Sequence, residues 1–238
     1  MNPSAAFQLE SLSYQNDAVE SVVRVFEGSP KPAAADLAGN RCPLTWAQIS
    51  ANLQAVALRH RVSEDRLNLS APAQGQPLDV CVEMETGTGK TLVYLRTLYR
   101  LHTVYGWCKF IIVVPTVAIR AGVMGTLADF GEQLAQQNGL NHPVPAFEYD
   151  SSRLQQLKQF IDRASHLLFA GVDDVEHLPR RVFAWRRQWR RHGRSLPGDP
   201  RGNDDRQLVI VDHQGRGGGA GIGADIVPAH TRAPALIG

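Results

Sequence analysis

The stretch Met84-Glu85-Thr86-Gly87-Thr88-Gly89-Lys90-Thr91 leaves few folds open to the chain that contains it. An apolar run, Leu78 to Val82, leads into it, and a helical pattern leads out from Thr91 to about Gly106. Strand, Gly-rich turn and helix in that order are what a phosphate-binding loop needs. Small residues let backbone N–H groups curl round phosphate oxygens, and the helix N-terminus adds favourable partial charge. In such a loop Lys90 reaches the terminal phosphates as a compact charge and Thr91 places its hydroxyl on Mg²⁺. The strict pattern begins with Gly, where Met84 stands here. The plainer alternative is a Gly/Thr turn that happens to precede Lys-Thr; the flanking strand and helix argue against it.

A length of 238 residues suits one α/β domain or one and a half. Hydrophobic residues at 43% and charged residues at 20% read as soluble and globular. No apolar run approaches the ~20 residues a membrane helix needs, and the N-terminus lacks the basic-then-apolar layout of a secretory signal. Cys42, Cys81 and Cys108 have no paired spacing, which implies neither a disulfide framework nor a zinc site. The expected compartment is a reducing cytoplasm.

The net charge of +2 says little, but its distribution splits the chain. After residue 170 fall 11 of the 21 Arg and 11 of the 21 Gly, whereas the last Lys is Lys158. The two halves are therefore read separately: residues 1–170 as one lobe, with 29–76 partly linker or insertion, and 171–238 as a basic, Gly-rich segment.

Within 7–28, Ala18, Val22, Val25 and Phe26 recur at helical spacing, with Gly28 as a natural stop. Pro and Gly mark 29–44 and 69–76 as linkers or surface loops. Between them a helix from Thr45 to about Arg61 offers Trp46, Ile49, Leu53, Val56 and Leu58 for burial. In the helix after the loop, Leu92, Tyr94, Leu95, Leu98 and Leu101 are expected to face a sheet. The run Phe110-Ile111-Ile112-Val113-Val114, apolar on both faces, predicts an interior parallel strand covered by helices on each side. Pro115-Thr116 then turns into another helix, and two strands joined through a helix imply a right-handed βαβ unit. The loop at 84–91 and the turn at 115–122 should share the carboxyl rim of one sheet. Residues 150–169 read as a helix carrying Leu154, Leu157, Phe160 and Ile161 that runs into Leu167-Leu168-Phe169. The expected fold class is α/β: a parallel sheet flanked by helices.

Arg180 to Arg194 is strongly basic, with Trp185 and Trp189 interleaved. A helix there would set Val182 and the two Trp against an arginine face, the look of a nucleic-acid or anionic-surface binder. A solvated charged face, a disordered basic segment, or sequence never selected to fold are the alternatives. Residues 214–238, rich in Gly and Ala, predict a poorly ordered tail.

Residues 7–28, 78–106 and 109–123 together resemble the N-terminal part of the restriction (Res) subunit of type III restriction enzymes, within the superfamily 2 helicases and translocases. The resemblance rests on Met84 opening the loop, on the helix ending Tyr105-Gly106, and on Lys109 to Pro115 soon after. Tyr14-Gln15 ahead of an Asp-Ala-Val helix is similar to that family's adenine-reading segment. The resemblance implies a RecA-like P-loop lobe that binds ATP and Mg²⁺. Gln15 would contact the base, and Thr86, Gly87, Thr88, Gly89, Lys90 and Thr91 the phosphates. Pro115, Thr116 and Arg120 would touch the backbone of double-stranded DNA. It also implies a parent activity of ATP-dependent DNA translocation coupled to endonuclease cleavage, with a modification methyltransferase subunit as a possible partner.

The family's metal and water-activating segment is an apolar strand ending in Asp-Glu. Here the candidate is Leu208 to Asp212 followed by His213, so Asp212 could hold Mg²⁺ while His213 stands where the general base belongs. The expectation is therefore a truncated lobe, its part after about residue 170 read wholly or partly out of frame, that binds ATP with little hydrolysis of its own. Two other readings stay open: a non-catalytic basic DNA-binding module built on 180–194, and a non-functional remnant.

Overall fold

Thr45 fixes where the second helix begins. Its hydroxyl accepts from the Gln48 amide at 3.4 Å and its own amide donates to Gln48 Oε1 at 2.9 Å, a reciprocal cap. The computed structural model describes residues 9–31, 40, 42–62, 69, 78–85, 87–114, 116–149, 166–171, 208–212, 223–228 and 233–235. Within them lie α1 (Ser13–Val25), α2 (Trp46–Arg59), β1 (Leu78–Glu83), α3 (Lys90–Tyr105), β2 (Lys109–Val114), α4 (Val117–Gln137), β3 (Ala146–Glu148), β4 (His166–Gly171), β5 (Leu208–Asp212), β6 (Gly223–Pro228) and β7 (Ala233–Ala235).

α1 buries Val19, Val22, Val23 and Val25 along one side, followed by Phe26. It stops where Gly28 takes a left-handed φ of 88°. α2 buries Ile49, Leu53 and Val56, as its spacing predicts, and Ala57 beside them. Leu58 differs: it is 81% exposed, because it falls on the side of the helix turned from the core.

α3 departs further from expectation. Instead of one apolar face it buries Val93 through Tyr99 without a break, Arg96 and Thr97 included. The cause is α1, which lies across α3: Tyr105 donates its hydroxyl to the Val23 carbonyl at 2.8 Å, and Arg100 pairs with Glu20 at 2.7 Å. Phe26 packs on Tyr105 and Trp107 with ring centroids 6.5 and 4.8 Å away.

β2 is buried along its whole length. Phe110, Ile112 and Val114 join the core formed with α1 to α4, while Ile111 and Val113, which alternate to the other face, are equally enclosed. The interior strand expected at 110–114 is present. Its start is sealed by Asn40, whose Oδ1 accepts from the amides of Cys108 and Lys109 at 2.7 and 3.0 Å. Asn40 Nδ2 in turn donates to the Lys109 carbonyl at 2.6 Å. Asn40, Cys42 and Leu44 are all buried, so the linker reading of 29–44 does not hold at these positions.

The sheet runs β3-β4-β2-β5-β6-β1-β7. β2 pairs in parallel with β4 and β5, β3 with β4, and β1 with β7, but β6 runs antiparallel to both β1 and β5. The sheet is mixed, which corrects the purely parallel expectation. The connection 213–222 is shorter than the dozen or more residues a parallel crossover requires, so β6 must return antiparallel. With β6 reversed between them, β1 and β5 still point the same way. Val82 and Asp212 both pair with Ala224, and Val113 pairs with Val211.

Two expectations change in the second half. Residues 166–171 are a strand paired with β2, not the end of a helix. Residues 223–228 and 233–235 are strands on either side of β1, so the unstructured-tail reading does not hold there. The basic stretch 180–194 lies outside the described residues, as do Leu154, Leu157, Phe160 and Ile161.

Candidate phosphate-binding site

β1 ends at Glu83 and α3 starts at Lys90, so the intervening loop must reverse within a few residues. Glycines at left-handed φ make this possible: Gly87 at 83° and Gly89 at 84°. Gly89 also caps α3, and its carbonyl accepts the first helical bond from Val93 at 3.1 Å. Inside the loop, Thr88 Oγ1 donates to the Glu85 carbonyl at 2.6 Å. Lys90 Nζ folds back over the loop to the carbonyls of Glu85 and Met84 at 2.9 and 3.4 Å. Thr91 follows in the first turn of α3.

Gln15 reaches this loop from α1. Its Nε2 donates to the Thr88 carbonyl at 2.9 Å, and the neighbouring Tyr14 hydroxyl donates to the same oxygen at 3.2 Å. A Cβ at residue 89 would sit 2.5 Å from Gln15 Nε2, so the close approach as well as the φ demands glycine there. Gln15 is only 4% exposed, and its Oε1 accepts from Arg96 Nη1 at 3.0 Å. Burial draws the Arg96 guanidinium below its ordinary pKa, yet a guanidinium remains a cation at working pH. Arg96 was not legible in the sequence as a site residue.

The second group of candidates lies after β2. Thr116 caps α4, its hydroxyl accepting from the Ile119 amide at 3.2 Å. Arg120, one turn in, is ion-paired with Glu148 at 2.8 Å. Asp212 is the last residue of β5. Thr86, Pro115 and His213 lie outside the described residues. The structure thus brings Gln15 onto the loop of Thr88, Gly89 and Lys90.

Residues 8–175 match the family model described as type III restriction enzyme, res subunit. The match takes in well over half of the chain. The chain belongs to this family. Curated Res subunits agree. The chain is 34% identical over 131 residues to the Type III restriction-modification enzyme EcoP15I Res subunit of Escherichia coli, covering 52% of this chain and 13% of that protein. It is 33% identical over 126 residues to the StyLTI Res subunit of Salmonella typhimurium, covering 52% of this chain and 10% of the relative. To the EcoPI Res subunit of Escherichia phage P1 it is 32% identical over 130 residues, covering 52% and 13%. The chain therefore spans a small part of the length of these relatives. The resemblance read from Met84, the Tyr105-Gly106 helix end and Lys109 to Pro115 is borne out, and with it a domain of the P-loop helicase type. Among the described residues no helix is long and apolar enough to cross a membrane.

Proposed function

We propose that this Res-family chain binds the triphosphate of ATP with Mg²⁺ on the loop at 84–91. The observation that carries the reading is the loop itself: two left-handed glycines, a helix N-terminus directly behind them, and Lys90 Nζ lying over the turn. A Cβ placed on Gly87 would meet nothing within 4 Å, so there is room at the loop for an incoming group. Thr86 to Thr91 would hold the phosphates, and the Thr91 hydroxyl together with Asp212 would hold the metal. Bound Mg²⁺ supplies charge neutralisation between phosphate oxygens.

Residues 1–170 then carry the nucleotide-binding loop, and strands from the basic, Gly-rich segment 171–238 complete the sheet beneath it. Hydrolysis by the chain alone is slow, because His213 follows Asp212 where the family carries an acidic general base. The wider role is that of a translocase and endonuclease subunit on double-stranded DNA, partnered by a modification methyltransferase subunit. Pro115, Thr116 and Arg120 would contact the DNA backbone. Isothermal titration with ATP and Mg²⁺ tests the core of this reading. Lys90→Ala should abolish the binding heat of the wild type, and equal heats would overturn it.

A further inference from the structure

Arg96 has no part in the strand, loop and helix pattern, yet it is among the most enclosed charges described. It is 5% exposed in the middle of α3, donating from Nη1 to Gln15 Oε1 at 3.0 Å and from Nη2 to the Glu10 carbonyl at 2.9 Å. A guanidinium can only donate, so it decides which way round the Gln15 amide sits: oxygen toward Arg96, nitrogen toward Thr88. That nitrogen and the Tyr14 hydroxyl together occupy the Thr88 carbonyl, at 2.9 and 3.2 Å. An oxygen with two lone pairs accepts no more strong bonds. The peptide that follows is planar and trans, so its N–H points opposite to its C=O. With the Thr88 carbonyl drawn toward α1, the Gly89 N–H is aimed away from α1.

We propose that Arg96 is a positioning residue which, through Gln15, locks the Thr88–Gly89 peptide so that the Gly89 N–H is presented to a phosphate oxygen. The proposal rests on the phosphate-binding reading of the loop and adds a specific relay to it. It also separates two roles for Gln15. A base reader must offer its amide to the ligand, whereas Gln15 is nearly enclosed and both ends of its amide already bond to the protein. The relay is therefore felt by the phosphate chain, with or without a base attached.

The test compares the full chain with Arg96→Met and with Gln15→Glu, which keeps a partner for Arg96 but cannot donate to Thr88. Inorganic tripolyphosphate and ATP, each with Mg²⁺, serve as probes. Both variants should weaken both probes by about tenfold, a difference of ~1.4 kcal/mol. In protein carrying isotope-labelled glycine, the Gly89 amide resonance should move while those of Gly106 and Gly139 stay. Loss of ATP binding with tripolyphosphate unchanged would overturn the relay in favour of a base contact. Unchanged binding of both probes with a lowered melting temperature would reduce Arg96 to a packing role and overturn it too. Should the wild type bind neither probe, the phosphate reading fails. The Gly89 resonance then decides the relay alone, and a resonance that stays put in both variants rejects it.

Discussion

Gln15 Nε2 lies 2.9 Å from the Thr88 carbonyl oxygen, joining the first helix to a loop 73 positions further along the chain. Gln15 is held in turn by Arg96, in the middle of α3. The loop is thus braced from the helix behind it and from the helix above it. Its geometry depends on residues outside the loop itself.

The two loop glycines should respond differently to a methyl group. Both have φ near 83–84°, where an L-residue costs about 1–2 kcal/mol. At Gly87 the added carbon meets open space, but at Gly89 it lands 2.5 Å from Gln15 Nε2. Gly87→Ala should lose about 1 kcal/mol in urea unfolding. Gly89→Ala should lose clearly more, and ATP binding with it. Equal midpoints for the two variants would contradict the close approach.

Asn40 satisfies three backbone groups at the start of β2. Asn40→Ala should cost about 2–4 kcal/mol, because it removes three buried hydrogen bonds, each contributing about 0.5–1.5. Asn40→Asp can still accept from the amides of Cys108 and Lys109 but cannot donate to the Lys109 carbonyl, so it should fall between. Denaturant titration of the three proteins measures the order; an Ala variant as stable as wild type would refute it.

Burial, followed by nearby charge on Glu27, pushes the Tyr105 phenol up to about 12 from an ordinary 10.0. A folded-state pKa above the unfolded one means that the native state holds its proton longer. The stability linked to Tyr105 is full below pH 10 and is lost as pH rises through about 12. Tyr105→Phe should remove this alkaline slope and cost about 1 kcal/mol at neutral pH through the lost bond to Val23. Melting temperatures taken from neutral to strongly alkaline pH check both; an unchanged slope in the Phe variant would assign it to another group.

Arg120 is engaged by Glu148 at 2.8 Å, with Glu148 half exposed. If Arg120 meets DNA phosphates, Glu148 competes with them. Glu148→Gln should raise affinity for double-stranded DNA a few-fold and steepen its salt dependence, whereas Arg120→Ala should weaken binding and flatten it. Titrations at several salt concentrations distinguish these, and an unchanged slope in both variants would remove Arg120 from the DNA surface.

How much of this could be read in advance follows from the range of each interaction. The loop, its flanking elements and β2 were legible, because glycines, an apolar run and helical spacing are local signals in Leu78 to Val114. The cap at Thr45 and the stop at Gly28 are local as well. Asn40 and Arg96 were not legible: one sat in a Pro/Gly-rich stretch, the other looked like a charge on a helix. Their partners lie 68 and 81 positions away. One signal was present for Arg96. It stands alone as a charge among Val93, Tyr94, Leu95, Leu98 and Tyr99, a setting in which an arginine must be paired. The reversed β6 was hidden for another reason: a Gly/Ala-rich stretch gives no periodicity from which to choose a strand direction.

Asn40 has a consequence for how this part of the chain can vary in length. Its bonds to Cys108 and Lys109 close a ring of about 68 residues that contains α2, β1, the loop and α3. Holding the ends of such a ring together costs chain entropy only as the logarithm of its length, so doubling it adds about 0.6 kcal/mol. While the clasp at Asn40 stays shut, residues can be gained or lost between α2 and β1 at small thermodynamic cost. The spacing between the Gln15 helix and the loop at 84–91 along the sequence is thus free to drift while their spacing in the fold is kept.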